Sequence, residues 1–135
     1  PWYTNGTNGF VDVEDVSAVI VALMESTVSA ERFIVNGQNW SYHQLLDTIA
    51  DGFNKKRPYL EATPFLAGLA WRAEKIKSVF TGNKPLLTRE SARIAQGYTV
   101  FGNNKILTAL PGFTFTPLNE TIQKACIRYL ANIQV

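Results

Sequence analysis

The stretch Gly9-Phe10-Val11-Asp12-Val13-Glu14-Asp15-Val16 is the part of the sequence that most constrains the fold. Residues Phe10 to Val13 are mostly β-formers and predict a short strand, on which Val11 and Val13 share one face. Asp15 is predicted to cap the next helix by accepting backbone N–H bonds. Apolar side chains then recur at helical spacing, at Val16, Val19, Ile20, Leu23 and Met24. The stretch therefore predicts a strand that leads directly into an amphipathic helix.

Turn and capping signals divide the neighbouring sequence into further elements. Pro1 to Gly9 is rich in Asn, Gly and Thr and predicts a loop. Arg32 to Val35 predicts a second strand, ended by the turn pair Asn36-Gly37. Ser41 and Gln44 have the form of a capping box and open a helix. The residues expected on its buried side are Leu45, Leu46, Ile49 and Phe53.

The second half of the chain predicts mainly helices. Thr63-Pro64 opens the longest one, which reaches about Phe80, because proline fits the first helical position. Shorter helices are predicted from Thr88 to about Gln96 and from Asn103 to Leu110, with a small strand from Tyr98 to Phe101 between them. Thr116-Pro117 opens the last helix. Its predicted inward residues are Leu118, Ile122, Ala125, Cys126, Tyr129, Leu130 and Ile133.

These elements define the expected fold class. About five helices and two or three short strands make an α+β fold that is mostly helical. No internal boundary is visible, so residues 1–135 are expected to form a single domain. Two well-separated short strands are too few for a self-sufficient sheet. We therefore expect part of the strand pattern to belong to a sheet whose other strands lie outside this chain.

Composition narrows the class of protein. The chain has 135 residues, of which 46% are hydrophobic and 18% charged, which is typical of a globular protein. The net charge of +2 gives no case for nucleic acid. No apolar run approaches the roughly 20 residues that span a bilayer, so no membrane partner is expected. The basic run Lys55-Lys56-Arg57 is interpreted as a solvated helix end rather than a phosphate site.

The sequence lacks the common catalytic and cofactor motifs. No two glycines are spaced as G-x-G-x-x-G requires, and no Tyr is followed four residues later by Lys. His43 is the sole histidine and Cys126 the sole cysteine, which excludes a multi-ligand His/Cys metal site. The acidic cluster Asp12, Glu14 and Asp15 is interpreted as structural rather than catalytic. We therefore expect no catalytic, cofactor-binding or metal residue in this chain.

The order of the segments resembles one enzyme family. Gly9 to Val16 is similar to the F-V-D-V-x-D-V signature of the extended short-chain dehydrogenases/reductases, in the NAD-dependent epimerase/dehydratase superfamily. The segment Phe33 to Gly37, the helix from Ser41, and Lys56-Arg57-Pro58 follow in the family's order. The stretch Phe101 to Phe113 is similar to the family's N-x-K-A…L-G ending, with Ile106 in place of Ala. The likeness is greatest to dihydroflavonol-reductase-like members.

The resemblance implies a role for the whole chain. In this family the glycine-rich dinucleotide loop and the Tyr-x-x-x-Lys pair lie upstream, in a Rossmann cofactor half. The chain is therefore expected to be the C-terminal, substrate-side part of a cytoplasmic NAD(P)-dependent oxidoreductase or epimerase acting on a carbonyl or alcohol. Its partners would be that Rossmann half and a small-molecule substrate, and exposed apolar surface would drive self-association. NAD or NADP would bind the parent protein, and no cofactor would bind this chain alone.

The residues expected to shape substrate specificity come from four segments. None is taken from a family motif. They are Trp2, Tyr3, Asn5 and Phe10 near the N-terminus, Pro58 and Tyr59, Lys84 and Leu86, and Tyr98 and Phe101. An alternative remains, in which the chain is a stand-alone binding or interaction module that has lost the cofactor half.

Overall fold

A computed structural model describes residues 1–63 and 89–133, together with residues 65, 66, 68, 69, 72, 73 and 78. The predicted long helix from Pro64 to about Phe80, the loop after it and the Thr88 cap fall largely outside this part. Those seven intervening residues are helical. The helices are α1 (Val13–Met24), α2 (Tyr42–Gly52), α3 (Arg89–Ile94), α4 (Asn104–Ala109) and α5 (Leu118–Ile133). The strands are β1 (Trp2–Tyr3), β2 (Thr7–Phe10), β3 (Gln38–Ser41) and β4 (Leu60–Glu61).

The strands form two separate two-stranded sheets. Strand β1 pairs in parallel with β4, with Trp2 opposite Leu60. Strand β2 pairs antiparallel with β3, with Gly9 opposite Asn39. The prediction of a loop from Pro1 to Gly9 is therefore wrong, because partners remote in sequence draw this segment into both sheets. The mixture of helices and short strands agrees with the expected α+β class. Among the described helices, none combines the length and apolarity that crossing a bilayer requires.

The stretch from Gly9 to Val16 folds differently from the prediction. Strand β2 ends at Phe10 and α1 begins at Val13, so the predicted strand from Phe10 to Val13 is wrong. The cap of α1 is Asp12, whose side chain accepts from the backbone N–H of Glu14 at 2.8 Å. Asp15, the predicted cap, lies inside the first turn, where it is buried. The helix begins earlier because Asp12 already satisfies one of its free N–H groups.

The second predicted strand is also displaced. Arg32 to Val35 forms no strand, and β3 begins only at Gln38. The alternation of side chains is nevertheless present, since Phe33 and Val35 pack against the core while Ile34 is 53% exposed. The predicted strand from Tyr98 to Phe101 is reduced to one parallel bridge between Tyr98 and Thr7. β-propensity therefore identified one buried face at residues 33–35 but not the pairing.

Helix α2 follows the prediction at its start and explains the glycine at its end. Ser41 caps it by accepting from the N–H of Gln44 at 3.1 Å. At the C-terminus Asn54 adopts a left-handed φ of 51°, and the N–H groups of Asn54 and Lys55 donate to the carbonyls of Asp51 and Ala50. This is a Schellman ending. Gly52, the last residue of α2, is thus free to serve packing rather than capping.

The described core consists of two apolar clusters. In the first, Val19, Ile106 and Leu110 are buried, and side chains from residues 22–35 and 107–115 pack around them. In the second, Leu118, Ile122 and Cys126 of α5 are buried against β2, β3 and α2. The brief helix predicted from Asn103 to Leu110 is confirmed as α4, and the predicted last helix is confirmed as α5.

The predicted apolar stripes are only partly buried. Of the predicted α1 stripe, Ile20 and Met24 are 53% and 81% exposed. On α2, Leu46 is also exposed. The second half of α5 is turned outward as well, where the exposed residues are Ala125, Tyr129, Leu130 and Ile133. The periodicity was correct for the helices, but the described chain supplies no neighbour for half of each face.

Candidate functional site

The first ten residues bring together most of the residues predicted to shape the site. On one side, the carbonyl of Pro1 accepts from the N–H groups of Tyr59 and Leu60 at 3.0 and 2.9 Å. The carbonyl of Tyr3 accepts from the N–H of Ala62 at 2.7 Å. These bonds place Trp2 beside the Pro58-Tyr59 segment. Both aromatic side chains face solvent, since Trp2 is 52% and Tyr59 72% exposed.

On the other side, the same N-terminal segment holds the residues around Tyr98. The N–H of Thr7 donates to the carbonyl of Gly97, and the N–H of Thr99 donates to the carbonyl of Thr7, each at 2.9 Å. Tyr98 projects from this bridge and is 81% exposed. Gly6 makes the approach possible, because a Cβ at that position would meet the Ala95 carbonyl at less than 3.0 Å.

Phe101 is held by side chains rather than by a strand. Its N–H donates to Asn39 Oδ1 at 2.9 Å, and its carbonyl accepts from Asn39 Nδ2 at 2.9 Å and from Asn36 Nδ2 at 3.1 Å. Asn103 Nδ2 donates to the Asn36 carbonyl at 2.7 Å. We call these three asparagines, Asn36, Asn39 and Asn103, the asparagine clamp. These asparagines were not among the predicted site residues. The only sequence signal for them is the residue type, because a side-chain amide can form the same hydrogen bonds as a peptide group.

Two other predicted site residues have structural partners. Asn5 Nδ2 donates to Glu61 Oε1 at 2.6 Å, which links the end of β1 to β4. Phe10 packs against the second apolar cluster and contacts Tyr42 edge to face, with ring centroids 6.0 Å apart. Lys84 and Leu86, the remaining predicted pair, lie outside the described residues.

His43 stacks on one of the predicted site residues. Its ring lies 3.7 Å from the Tyr3 ring at an interplanar angle of 12°. His43 Nε2 is 3.6 Å from Asp47 Oδ2, while Asp47 Oδ1 is buried and has no hydrogen-bond partner among the described residues. The His43 side chain is 39% exposed, and its ring covers one face of Tyr3. No spacing rule connects these two residues, because β1 and α2 meet only in the fold.

The acidic cluster is occupied by structural partners. Asp12 Oδ2 accepts from the Thr121 hydroxyl at 2.7 Å, and this bond, with the Glu14 N–H, holds the pKa of Asp12 below its ordinary value. Asp15 accepts from both the N–H and the hydroxyl of Thr116 at 2.7 and 2.8 Å. Glu14 pairs with Arg128 at 2.8 Å on the surface. The structural interpretation of the cluster therefore agrees with the contacts, although the capping roles are redistributed.

The basic run after α2 is solvated, as predicted. Lys55 and Lys56 are exposed. Arg57 forms two bonds to the Asp51 carboxylate at 2.8 and 2.7 Å, which lowers the pKa of Asp51. Within residues 1–63 and 89–133, no group of three or more His, Cys, Asp or Glu side chains is arranged to hold a metal ion. The candidate surface is therefore aromatic and amide-rich where the structure describes it.

Comparison with known proteins finds one solved structure with a similar fold and gives no activity for this chain. No protein-family model matches the sequence, and no curated protein matches it. Among solved structures, the crystal structure of gox2253 is similar, with a TM-score of 0.67 and 21% sequence identity. The match covers 96% of this chain and 39% of the gox2253 chain. At this identity the likeness concerns the fold alone, and the chain spans well under half the length of that relative.

Proposed function

We propose that the chain is the substrate-side, C-terminal part of a cytoplasmic NAD(P)-dependent oxidoreductase or epimerase/dehydratase of the extended short-chain dehydrogenase/reductase family. The parent protein would act on a carbonyl or alcohol carbon. The dinucleotide loop and the tyrosine–lysine pair would belong to a Rossmann half outside this chain. The proposal rests on the sequence resemblance, and three features of the fold support it.

The first supporting feature, and the one that carries the proposal, is a strand-like segment without a strand partner. Phe33 and Val35 face the core and Ile34 faces out. The backbone N–H and C=O groups of these three residues form no hydrogen bond in the described part of the chain. Backbone N–H and C=O groups that lack hydrogen-bond partners beside a packed core are typical of a sheet edge. Another strand can pair with such an edge. A Rossmann half would supply such a strand.

The second supporting feature is the extent of outward apolar surface. On α1, Val13, Ile20, Val21 and Met24 are between 53% and 81% exposed. These positions recur at helical spacing along the outward side of α1, opposite Val19. A monomeric globular protein rarely leaves such a stripe uncovered. A second half of the same polypeptide would cover it.

The third supporting feature is a set of exposed aromatic residues held near residues 1–10. Pro1, next to Trp2, bonds to Tyr59, Thr7 pairs with Tyr98, and Phe101 lies close to Gly9. All four are more than a third exposed. Apolar rings of this kind exclude water and orient a small carbonyl substrate. Nicotinamide would supply the hydride in the parent, whereas the residues of this chain would bind and enclose the substrate.

The test begins with the reading frame that encodes the chain. We expect a longer frame with a glycine-rich dinucleotide motif and Tyr-x-x-x-Lys upstream. The longer product should be stabilised by NADH or NADPH in a thermal-shift titration, by about 2.7 kcal/mol at a hundredfold excess over Kd. The chain alone should show no saturable shift. In the longer product, Trp2→Ala and Tyr59→Ala should raise KM for an aldehyde substrate, with Ile127→Ala as an exposed control.

Two outcomes would contradict the proposal. Saturable stabilisation of the chain alone by either nucleotide would mean that it contains a dinucleotide site of its own. A frame without the upstream half would instead favour the alternative, a stand-alone binding module. In that case the exposed stripe on α1 would be the surface to probe for partners.

A further inference from the structure

Asn39 reaches across Gly9 to hold the backbone of Phe101. Gly9 and Asn39 are directly opposite in the β2–β3 pair, so substituents at both positions point to the same face of the sheet. A Cβ at Gly9 would meet Phe101 Cδ2 and Asn36 Oδ1 at less than 3.0 Å. The absence of a side chain at position 9 is therefore what lets the clamp and the Phe101 ring occupy this space.

The Asn39 amide acts as a strand partner for Phe101. Residues 97–99 pair with Thr7 through backbone bonds, and beyond Thr99 that pairing ends. At Phe101 the two bonds of 2.9 Å to Asn39 Oδ1 and Nδ2 repeat the N–H and C=O pattern that two opposite strand residues exchange. Residues 97–99 are thus attached to β2 through backbone bonds, and the Asn39 side chain attaches Phe101 to β3.

Asn36 and Asn103 close the clamp from the other side. Asn36 is only 4% exposed, donates Nδ2 to the Phe101 carbonyl and accepts from Asn103 Nδ2 through its own carbonyl. Both polar groups of the Phe101 backbone are therefore satisfied by amides. The segment from Tyr98 to Phe101 is fixed at both ends, by Thr7 and by the clamp. The Tyr98 ring, which is 81% exposed, projects from this fixed segment.

We infer that Asn39 is a positioning residue that sets the Tyr98–Phe101 segment as one wall of the substrate-binding surface and so limits the size of substrate admitted. The size limit rests on the proposed function, whereas the positioning is a property of this chain. Asn39 does not touch the reacting atoms. It acts through the backbone of Phe101.

Hydrogen exchange in this chain tests the positioning. Asn39→Leu removes both bonds while keeping the same branched arrangement of heavy atoms, and we expect the Phe101 amide to exchange about tenfold faster, the factor that corresponds to one bond of about 1.4 kcal/mol. Asn39→Asp keeps an acceptor for the Phe101 N–H and should restore part of the protection. Asn119→Ala, an exposed position on α5, is the control. Unchanged exchange at Phe101 in Asn39→Leu would overturn the inference.

Substrate discrimination in the longer protein tests the size limit. Benzaldehyde and 2-naphthaldehyde serve as small and large probes with NADPH or NADH. Asn39→Leu should shift the ratio of their kcat/KM values at least threefold, through KM, with kcat for benzaldehyde within twofold. An unchanged ratio with faster Phe101 exchange would overturn the size limit. If the longer protein oxidises neither nucleotide, the proposed function fails, and the exchange result alone decides the positioning role.

Discussion

Gly52 of α2 faces Cys126 of α5 so closely that a Cβ at position 52 would lie 2.7 Å from Cys126 Sγ. This contact fixes how near the two helices approach in the second apolar cluster. Glycine is unfavourable inside a helix by about 1 kcal/mol relative to alanine. The close approach of α2 and α5 explains why position 52 is glycine.

We predict that Gly52→Ala destabilises the chain despite its better helix propensity. Overpacking against Cys126 should cost about 1–3 kcal/mol, measured by urea denaturation. Gly102→Ala is the control, because no atom of the described residues lies within 4 Å of a Cβ at that position. In a double-mutant cycle with Cys126→Ala, the penalty of Gly52→Ala should shrink. A more stable Gly52→Ala protein would contradict the packing argument.

The lowered pKa of Asp12 should make the free energy of unfolding depend on pH. Its folded pKa is lower than the ordinary value of 3.8 because Thr121 and the Glu14 N–H donate to the carboxylate. The ionised form thus stabilises the fold above pH 3.8, and this contribution is lost as the pH falls through the lower, folded pKa. Asp12→Asn should flatten this acid limb in denaturation measured between pH 7 and 2. Asp51→Asn, which removes an exposed pair, should change it much less. An unaltered acid limb in Asp12→Asn would show that other groups produce it.

Asp15 should be the most sensitive acidic residue of the cluster. It is buried and accepts two hydrogen bonds from Thr116, which ties α1 to the start of α5. Asp15→Ala should destabilise the chain by about 2–4 kcal/mol, because the Thr116 donors lose a charged acceptor. Asp15→Asn, which keeps one acceptor, should cost less. Glu14→Ala, at an exposed ion pair, should cost under about 1 kcal/mol. An effect of Asp15→Ala no larger than that of Glu14→Ala would refute this ranking.

The left-handed backbone of Asn54 is a position where glycine should be tolerated at least as well as asparagine. Its left-handed φ of 51° is strained for most residues but suits glycine. Asn54→Gly should leave stability unchanged or raise it slightly, whereas Asn54→Ala should lower it by about 1 kcal/mol. Thermal denaturation of the two variants measures the difference. Equal stability of the two would argue against the Schellman ending of α2.

The exposed stripe of α1 should promote self-association of the isolated chain. Met24→Lys combined with Ile20→Lys adds charge where the side chains are 81% and 53% exposed. Sedimentation velocity should show fewer oligomers, and the binding of a hydrophobic dye should fall. Ile127→Lys places a charge on an exposed residue of α5 and serves as the comparison. A wild-type chain that stays monomeric and binds no dye would contradict this prediction.

The elements that local chemistry controls were predictable from the sequence. Ser41 caps α2 because the serine and the helix it opens are adjacent, and Thr116-Pro117 marks the start of α5 for the same reason. Strands β1 and β4 were not predicted, because each has only two residues and pairs with a strand that is remote in sequence. The cap of α1 was misplaced by three residues because Asp12 and Asp15 are equally good caps by type. Their contacts in the fold distinguish them, because Asp12 accepts from the Glu14 N–H and Thr121 whereas Asp15 accepts from Thr116.

The substrate-binding role of Trp2, Tyr59 and Tyr98 stays a prediction, but the backbone contacts near these residues are now described. Pro1 bonds to Tyr59, and Thr7 pairs with Tyr98. The hydrogen bonds between Asn39 and Phe101 were not predictable from the sequence. They depend on the β2–β3 register, which places Gly9 opposite Asn39. The stacking of His43 on Tyr3 depends in the same way on how β1 meets α2.

The position of residues 1–10 also constrains how the chain is made. Thr7 pairs with Ser41 and bonds to Gly97 and Thr99, while Pro1 bonds to Tyr59 and Leu60. A ribosome synthesises residues 1–10 well before residues 97–99, their most remote partners. Contacts between remote residues slow folding because a long loop must close first. The bonds of Thr7 to Gly97 and Thr99 can therefore form only after residues 97–99 have left the exit tunnel, later than the pairing with Ser41.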